Sequence, residues 1–371
     1  MLYPWQMPAW QALNALHPRW PHALLIHGQS GIGKTAFARH LAQSLLCESS
    51  DVIAAASGAA NTADGGNDAA HWAARPCGHC LACKWFDQGN HPDFRAVFPE
   101  SMGSATPDSA EAGADADSGA SAGAAKSSEP AKPKVLSKEI KVEQVRSLLE
   151  FCGIGAHRGG RRVVLIYPAE AMNAASSNAL LKTLEEPPES VVFILVTSRI
   201  ERLLPTIISR CRQWPMGVPA AGPAQAWLAA QSGMDPAQAS AALALAGGAP
   251  LAAQAGGDDP QHRFVLSELA AGGRCDAFAC ADALQKTAVP VVLGWLQRWL
   301  YDVLSVNLTG AIRYYPLHVS ALQRCATAVD ALALAQMNQW LARQRASENH
   351  PLNARLVYES LFLRYRDLFT A

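Results

Sequence analysis

The stretch Gly28-Gln29-Ser30-Gly31-Ile32-Gly33-Lys34-Thr35 decides the fold of this chain. It matches the phosphate-binding loop pattern G-x-x-x-x-G-K-[ST] at every fixed position. An apolar run over Ala23–Ile26 precedes the loop and predicts a short buried strand, and apolar residues at spacings of three to four follow it and predict a helix. In a strand–loop–helix context, backbone N–H groups and a helix N-terminus can surround phosphate oxygens.

We therefore predict that the loop binds ATP or ADP with Mg²⁺. The candidate nucleotide-binding residues in it are Gly28, Gly31, Gly33, Lys34 and Thr35. Lys34 is expected to reach the terminal phosphates, and Thr35 to hold the Mg²⁺ ion. The alternative is a glycine-rich strand-to-helix turn without a ligand, and an intact loop does not by itself predict hydrolysis.

Four cysteines downstream of the loop predict a metal site. Three of them lie at C-x₂-C-x₂-C spacing within Cys77–Cys83, and Cys47 follows the predicted helix. The candidate ligands are Cys47, Cys77, Cys80 and Cys83. Four thiolates complete a closed tetrahedral zinc site, which is structural because no position is left for water. An iron–sulfur cluster is the alternative, although the C-x₃-C-P continuation of ferredoxin-type runs is missing. His79 is a further possible ligand in place of one cysteine.

The bulk composition excludes several function classes. Lys plus Arg number 31 and Asp plus Glu number 31, so no global field draws the chain to nucleic acid or membrane. Apolar runs are too short to span a bilayer, and no secretory signal is apparent at the N-terminus. Nine cysteines beside a nucleotide loop favour metal binding over disulfides in a reducing cytoplasm.

Strands alternate with helices over the first part of the chain. An alternating pattern predicts a strand at Phe94–Phe98, and apolar runs predict strands at Val163–Ile166 and Val191–Val196. Between them, an amphipathic pattern at 140–149 and the run Ala179–Leu184 predict helices. The expected fold is therefore α/β, a parallel sheet covered on both faces, with the phosphate loop at the carboxyl end of its strand.

The character of the chain changes after Pro215, because apolar strand runs vanish and alanine-rich helical patterns replace them. We predict three domains: a nucleotide-binding domain with the metal module over 1–216, a small helical lid domain over 217–257 and an all-α domain over 258–371. Two tracts poor in large apolar residues, about 48–75 and 101–134, are expected to be disordered surface loops.

Two apolar stripes in the last predicted domain are interpreted as core, because they repeat at helical spacing. The first stripe consists of Val291, Val292, Trp295, Leu296, Trp299, Leu300 and Val303. The second consists of Leu356, Leu361, Phe362, Tyr365 and Leu368.

Specific motifs make the chain resemble the delta-prime subunits of the bacterial DNA polymerase III clamp loader, within the AAA+ class of ATPases. Tyr3-Pro4-Trp5 is similar to the N-terminal motif of that family, and the cysteine module is inserted after the loop helix as in the family. His91-Pro92-Asp93 follows the module, the run Asn178–Pro188 is close to a family signature, and Ser209-Arg210-Cys211 matches the SRC motif. The likeness is strong over the first predicted domain and weak over the last hundred residues.

The resemblance implies a three-domain, C-shaped subunit in a five-member ring with gamma or tau and delta subunits. That hetero-oligomeric ring opens the sliding clamp and places it on primed DNA, using ATP bound at subunit interfaces. In the family, the SRC arginine contacts the nucleotide of a neighbouring subunit, a role that maps onto Arg210. Thr197 matches a nucleotide-sensing position of the family.

Two departures from the family of active ATPases predict weak hydrolysis. Tyr167-Pro168 stands where active members carry the acidic pair that holds Mg²⁺ and orients water, and neither side chain can do this. Glu170 lies three residues further on and is expected to point elsewhere. Pro250 lies near the position of a nucleotide-sensing arginine. We therefore predict a non-catalytic, stator-like subunit; an active gamma- or tau-like motor and a stand-alone P-loop helicase or repair ATPase are the alternatives.

Overall fold

The computed structural model of the protein describes residues 2–16, 20–48, 75–103, 137–157, 160–257, 259–346 and 353–369. The two predicted insertions, 48–75 and 101–134, lie almost entirely outside the described residues. The described chain forms two compact units, which divide between Pro219 and Ala220.

The first unit is built on a parallel sheet of five strands. The strands are β1 Ala23–His27, β2 Phe94–Val97, β3 Arg162–Ile166, β4 Val191–Thr197 and β5 Arg212–Pro215. Their order across the sheet is β2-β3-β4-β1-β5, and every neighbouring pair is parallel. The four strands predicted from the sequence are confirmed within one residue at each end. The strand β5 was not predicted from the sequence.

The register of the sheet defines two edges. His27 of β1 pairs with Thr197 of β4 on one side and with Pro215 of β5 on the other. We call this end the carboxyl edge, and we call the opposite end, where Leu24 pairs with Arg212, the amino edge. Because all strands are parallel, every loop that follows a strand begins at the carboxyl edge.

Helices cover the sheet. The described helices of the first unit are α1 Met7–Asn14, α2 Lys34–Leu46, α3 Leu81–Asp87, α4 Val142–Gly153, α5 Ala174–Glu185 and α6 Pro205–Ile208. Side chains alternate between the faces of a strand, and Leu25, Phe193 and Leu195 share one fully buried cluster with α4 and α5. The helix α2 packs against β3 and β4. The predicted α/β fold is confirmed.

Helix α5 begins earlier than the run Ala179–Leu184 predicted. The Asn173 side chain accepts a hydrogen bond from the Ser176 amide at 3.0 Å and caps the helix. The helix ends at Glu185, just before Pro187-Pro188, as expected from the missing proline N–H.

The His91-Pro92-Asp93 motif forms a buried polar contact at the start of β2. Asp93 is almost fully buried, and its Oδ1 lies 3.4 Å from Arg162 Nε. The same oxygen accepts a hydrogen bond from the His157 amide at 2.9 Å. The motif therefore joins β2 to β3 and to the segment that follows α4, a structural role away from the phosphate loop.

The second unit is helical. Its described helices are α7 Ala221–Ser232, α8 Pro236–Leu245, α9 Pro250–Ala255, α10 Pro260–Ala270, α11 Ala277–Ala283, α12 Val289–Thr309, α13 Val319–Ala328, α14 Ala331–Ala346 and α15 Ala354–Asp367. One apolar cluster joins α7, α8 and α9, and a larger one joins the helices from α10 to α15. The division of this region at about residue 258 into two domains stays a prediction.

The two predicted stripes lie mostly in the larger cluster. Trp295 and Trp299 on α12 are buried, and so are Phe362 and Tyr365 on α15. The interpretation was wrong for Leu356, which is 61% exposed at the start of α15. A single residue at the end of a stripe can rotate past the packed face, since an α-helix advances 100° per residue.

Among the residues that the structure describes, no helix combines the length and the apolar character needed to cross a membrane.

Candidate nucleotide and metal sites

The phosphate loop lies at the carboxyl edge, directly after β1. Three of its glycines have positive φ values, +152° at Gly28, +79° at Gly31 and +86° at Gly33. At Gly28, a Cβ atom would lie 2.2 Å from the Met216 carbonyl oxygen, so a larger residue cannot fit without moving the backbone. The glycines thus permit both the backbone turns and the close packing behind the loop.

The lysine and threonine of the loop start helix α2. Lys34 is fully buried, and its Nζ donates a hydrogen bond to the Gln29 carbonyl oxygen at 2.7 Å. Thr35 is 1% exposed. The ammonium group therefore faces the loop itself, and a phosphate oxygen would have to replace the Gln29 carbonyl as its partner. The roles of Lys34 and Thr35 toward a nucleotide stay predictions.

The N-terminal segment holds the loop from outside. Trp5 Nε1 donates to the Ile32 carbonyl oxygen at 2.9 Å, and Gln6 Nε2 donates to the Gly33 carbonyl oxygen at 2.6 Å. Tyr3 stacks on Trp5 with ring centroids 4.8 Å apart. At Gly33, a Cβ atom would lie 2.7 Å from both the Tyr3 ring and Gln6 Nε2. The N-terminal segment thus occupies the carbonyl groups of Ile32 and Gly33 and fixes the backbone of the loop.

Gln6 was not among the residues predicted from the sequence. Its side chain is fully buried, and its Oε1 accepts a hydrogen bond from the Tyr3 amide at 3.1 Å. No spacing rule identifies such a residue, since its partners lie 26 and 27 positions away. The only signal was its place beside the Tyr3-Pro4-Trp5 motif.

Tyr167 and Pro168, which stand where active ATPases carry an acidic pair, lie at the carboxyl edge as well. Tyr167 follows β3 directly and is 5% exposed, and Pro168 comes next. Thr197, at the end of β4, is fully buried, and its Oγ1 accepts a hydrogen bond from the Arg199 amide at 3.0 Å. A phenol and a proline ring stand at the end of β3, so no carboxylate is available at those two positions.

Glu170 lies close to Thr197 in the fold. Its Oε1 accepts a hydrogen bond from the Ser198 amide at 3.0 Å. The carboxylate therefore anchors the loop after β4. Pro250, in the second unit, begins helix α9 and is buried. A proline ring offers neither a charge nor an N–H group, so it cannot replace a sensing arginine.

Arg210 lies at the amino edge. It precedes Arg212, which pairs with Leu24 near the start of β1. Arg210 borders a surface depression together with His22, Leu184, Glu185 and Ser209. Its guanidinium is about one-third exposed, forms an ion pair with Glu185 and donates to the Thr206 carbonyl oxygen at 2.9 Å.

The two groups that were predicted to handle phosphate are therefore far apart. His22 and Gly28 are separated by the full length of β1. With about 3.3 Å of rise per residue, six residues of nearly extended chain span roughly 20 Å. Arg210 is not placed to reach a nucleotide held by the Gly28–Thr35 loop.

The four predicted metal ligands come together in the first unit. The sulfur atoms of Cys47, Cys77, Cys80 and Cys83 all lie within 4.8 Å of one another. The Cys47–Cys80 and Cys77–Cys83 pairs are each 4.0 Å apart. A Zn–S distance of ~2.3 Å in a tetrahedron requires sulfur separations of about 3.8 Å. The sulfur positions therefore fit a closed four-thiolate site.

Backbone groups hold the sulfur atoms in place. The amides of Cys77, Cys80 and Cys83 donate to the sulfurs of Cys47, Cys77 and Cys80, at distances of 3.4 to 3.5 Å. Gly78, at φ +75°, forms the turn between the first two ligands of the module. His79 is exposed with Nδ1 2.8 Å from the Cys77 carbonyl oxygen, so the sulfur cluster forms without it.

Three of the thiols differ in how readily they ionise. Burial opposes ionisation of Cys77, but hydrogen bonds from the backbone amides of Cys80 and His79 outweigh it and lower the Cys77 pKa to about 6. Burial raises the pKa of Cys80 and Cys83. Four thiolates this close repel one another, so all four are stable together only around a cation.

The metal module is attached to the phosphate-loop helix. Cys47 follows α2 directly, and Cys80 caps the start of α3. Gln43 on α2 donates to Asp87 on α3 at 2.9 Å, and Arg39 lies over the Phe86 ring. A metal that fixes Cys47 therefore fixes the far end of the helix whose first residues are Lys34 and Thr35.

Known proteins match the chain along nearly its whole length. A family described as "DNA polymerase III, delta subunit" matches residues 9–218, and a second, "DNA polymerase III, delta subunit, C terminal", matches residues 261–367. The DNA polymerase III subunit delta' of Pseudomonas aeruginosa is 32% identical over 377 residues, which covers 99% of this chain and 98% of the relative.

More distant relatives match shorter parts. The subunit delta' of Escherichia coli is 32% identical over 308 residues, covering 81% of this chain and 76% of the relative. The tau subunit of the same organism is 32% identical over 193 residues, covering 52% of this chain and 21% of tau.

Proposed function

The chain belongs to the family of DNA polymerase III delta-prime subunits, and we propose that it is a clamp-loader subunit that hydrolyses little ATP itself and supplies Arg210 to the ATP site of a neighbouring subunit. Its proposed partners are gamma or tau and delta subunits in a hetero-oligomeric ring that loads a sliding clamp onto primed DNA. Its likeness to both delta-prime and tau relatives supports membership of that complex.

The observation that carries this proposal is the placement of Arg210. The side chain lies at the amino edge, on the surface, whereas the chain's own phosphate loop lies roughly 20 Å away across the sheet. An arginine at that edge serves a nucleotide held by another subunit better than one held by its own loop.

The chemistry of a guanidinium suits that task. Its planar group presents fixed N–H donors to phosphate oxygens and offsets the charge that builds in the transition state. In the isolated chain, Glu185 and the Thr206 carbonyl orient the guanidinium. A triphosphate from the neighbour would replace Glu185 as its anionic partner, since the pair is partly exposed and open to exchange.

The chain's own loop supports binding more than hydrolysis. The loop amides, Lys34 and Thr35 would hold ATP or ADP with Mg²⁺. The negative charge of the bound phosphates would in turn stabilise the loop. Tyr167 and Pro168 leave the end of β3 without the carboxylates that position Mg²⁺ and water. We therefore propose slow or no turnover at this site.

The four-cysteine module is proposed to hold zinc. A closed thiolate site supplies folding free energy and no open coordination position, so its role is structural. Through its attachment to α2, the module would stabilise the far end of the helix that starts at the phosphate loop.

The proposal is tested by reconstituting the ring with the Arg210→Ala variant and measuring DNA-stimulated ATP turnover and clamp loading. We expect the variant to fold and assemble while both rates fall. Lys34→Ala in the same subunit is the comparison variant, and it should leave both rates much closer to those of the unmodified ring. A ring that is disabled by Lys34→Ala and unaffected by Arg210→Ala would contradict the proposal.

A second candidate is an active motor subunit, and one observation favours it. Glu170 places a carboxylate beside Ser198 at the carboxyl edge, next to Thr197. ATP turnover by the isolated chain, measured with and without Glu170→Gln, separates the candidates. Turnover well above background that is lost with Glu170→Gln would support the motor; background turnover in both proteins supports the first proposal.

A further inference from the structure

The second unit contains a cluster of soft and hard ligand atoms that the clamp-loader role does not use. The sulfur atoms of Cys275 and Cys280 and one carboxylate oxygen of Glu268 lie within 4.8 Å of one another. We propose that these three residues form a second metal site, which takes a thiophilic divalent cation of the zinc and cadmium type.

Three separate segments bring the ligands together. Glu268 projects from α10, Cys275 lies in the short connection after that helix, and Cys280 lies on α11. Asp276 caps α11 by accepting hydrogen bonds from the Phe278 and Ala279 amides at 3.1 and 3.0 Å. The cap fixes the start of α11 and hence the distance between the two cysteines.

The carboxylate is oriented by the same connection. The Asp276 amide donates to Glu268 Oε2 at 2.9 Å. A carboxylate offers about four lone-pair positions on two oxygens, so this hydrogen bond leaves room for a metal. An orienting hydrogen bond on a ligating carboxylate is the usual arrangement at protein metal sites.

The three proposed ligand residues differ in their exposure to solvent. Cys275 and Cys280 are 2% and 0% exposed, whereas Glu268 is only partly buried. A cation can therefore enter past the carboxylate and meet the two sulfurs inside. Two thiolates and one carboxylate are three protein ligands, and a water molecule completes a tetrahedral site.

The chemistry of the donors selects the metal. Thiolates favour zinc and cadmium over magnesium or calcium, which bind oxygen ligands. Binding displaces the thiol protons into solvent and changes no oxidation state. The proposed site is distinct from the four-cysteine module, which lies in the first unit.

The experiment measures total metal per full-length chain, zinc plus cadmium, after equilibrium dialysis against a low concentration of cadmium. We expect one more metal per chain in the unmodified protein than in the double variant Cys275→Ser/Cys280→Ser. This difference holds even when cadmium replaces zinc in the first module, because the total count is compared. Cys325→Ser removes another buried thiol of the same unit, outside the cluster, and should keep the full count.

Glu268→Gln tests the site without touching the buried core. It preserves the shape of the side chain but removes a charged ligand, and we expect cadmium affinity at this site to fall at least about tenfold, the lower bound for disturbing even an outer-shell partner. A thiolate-to-cadmium absorption band that weakens in the double variant and persists in Cys325→Ser provides a second readout.

Several results would overturn the proposal. These are equal metal counts in the unmodified protein and the double variant, or an affinity that Glu268→Gln leaves unchanged. Alkylation and mass spectrometry that find Cys275 and Cys280 joined in a disulfide in freshly purified protein would also contradict it, because an oxidised pair supplies no thiolates.

Discussion

The two edges of the sheet differ in what they offer a nucleotide. The carboxyl edge carries a complete phosphate-binding loop. Lys34 donates a hydrogen bond to the Gln29 carbonyl within this loop, and the side chains of Trp5 and Gln6 bind its backbone carbonyls from outside. The amino edge carries Arg210, which is partly exposed and held by an exchangeable ion pair. The comparison teaches how far apart the two proposed roles lie: nucleotide binding at one edge and assistance to a neighbouring subunit at the other, with the five residues of β1 between them.

The largest expected effect concerns the proposed metal site at the far end of α2, the helix that starts in the phosphate loop. Cys80→Ser removes one sulfur from the four-cysteine module, and the protein should lose its zinc and melt at a clearly lower temperature. Structural zinc contributes about 10–16 kcal/mol to isolated zinc-finger peptides, and a module embedded in a larger domain should lose part of that. Elemental analysis and thermal unfolding check the prediction.

The matched control for that change is Cys152→Ser, which alters a buried thiol on α4 outside the cluster. It should retain the metal. If Cys80→Ser lowers nucleotide affinity but leaves the effect of Arg210→Ala on the ring unchanged, the comparison between the edges is sharpened, since α2 links the module to the phosphate loop. Unchanged metal content in Cys80→Ser would contradict the prediction that the module holds zinc.

The second effect separates charge from shape at the amino edge. Arg210→Lys keeps the charge but loses the planar arrangement of donors, so we expect it to restore little of the activity lost in Arg210→Ala. Arginine fingers accelerate phosphoryl transfer by about 10³–10⁵-fold, and the loss at the one affected site should approach the lower figure. Single-turnover ATP hydrolysis in the reconstituted ring measures it.

Arg212→Lys is the control, because Arg212 is an exposed arginine two residues away on β5. It should leave the rate within a few-fold of normal. Full activity in Arg210→Lys would mean that a positive charge alone suffices at this position. It would then contradict the role proposed for the planar guanidinium.

The third effect tests the support of the phosphate loop. Gln6→Ala removes the donor to the Ile32 and Gly33 carbonyls, and we expect the affinity for ADP to fall about tenfold, since a hydrogen bond contributes about 0.5–1.5 kcal/mol. Titration calorimetry with the isolated chain measures it. Gln11→Ala, on the exposed face of α1, is the control. Equal affinity in both variants would show that the N-terminal segment does not position the loop.

The smallest effect concerns the ion pair at the amino edge. Glu185→Gln frees the Arg210 guanidinium from its anionic partner, and the free energy of unfolding should change by less than about 1 kcal/mol, as for other exposed pairs. The ring's ATP turnover should stay the same or rise slightly, because Arg210 no longer exchanges partners. A fall as large as that of Arg210→Ala would indicate that Glu185 is required for the chemistry.

Most of the sheet was predictable from the chain, but its last strand was not. The strands β1, β3 and β4 are largely apolar runs, and their burial follows from that composition, whereas β2 is recognised by its alternating pattern and is only partly buried. Arg212–Pro215 contains two charged or polar residues, a tryptophan and a proline, and only its parallel pairing with β1 makes it a strand. Proline is tolerated in an edge strand because one side of the strand has no ladder partner.

The residues of the candidate sites also fall into a group that the sequence predicted and a group that only the fold brings together. The residues of the phosphate loop are close in sequence, and so are three of the four clustered cysteines, so their spacing indicated them as candidates. Gln6 acts on carbonyl groups 26 and 27 residues away, and Glu268 meets Cys275 and Cys280 across the connection between two helices. No local pattern predicts contacts of that kind.

The sequence by itself determined the local chemistry of this protein. Glycines that accept positive φ, a lysine and a threonine at a helix start, and cysteines two residues apart act through neighbouring positions along the chain. Only the tertiary structure decided where these groups face. Strand order and register depend on packing between distant segments, and they put Arg210 at the edge opposite Lys34, the separation on which a role toward a neighbouring subunit depends.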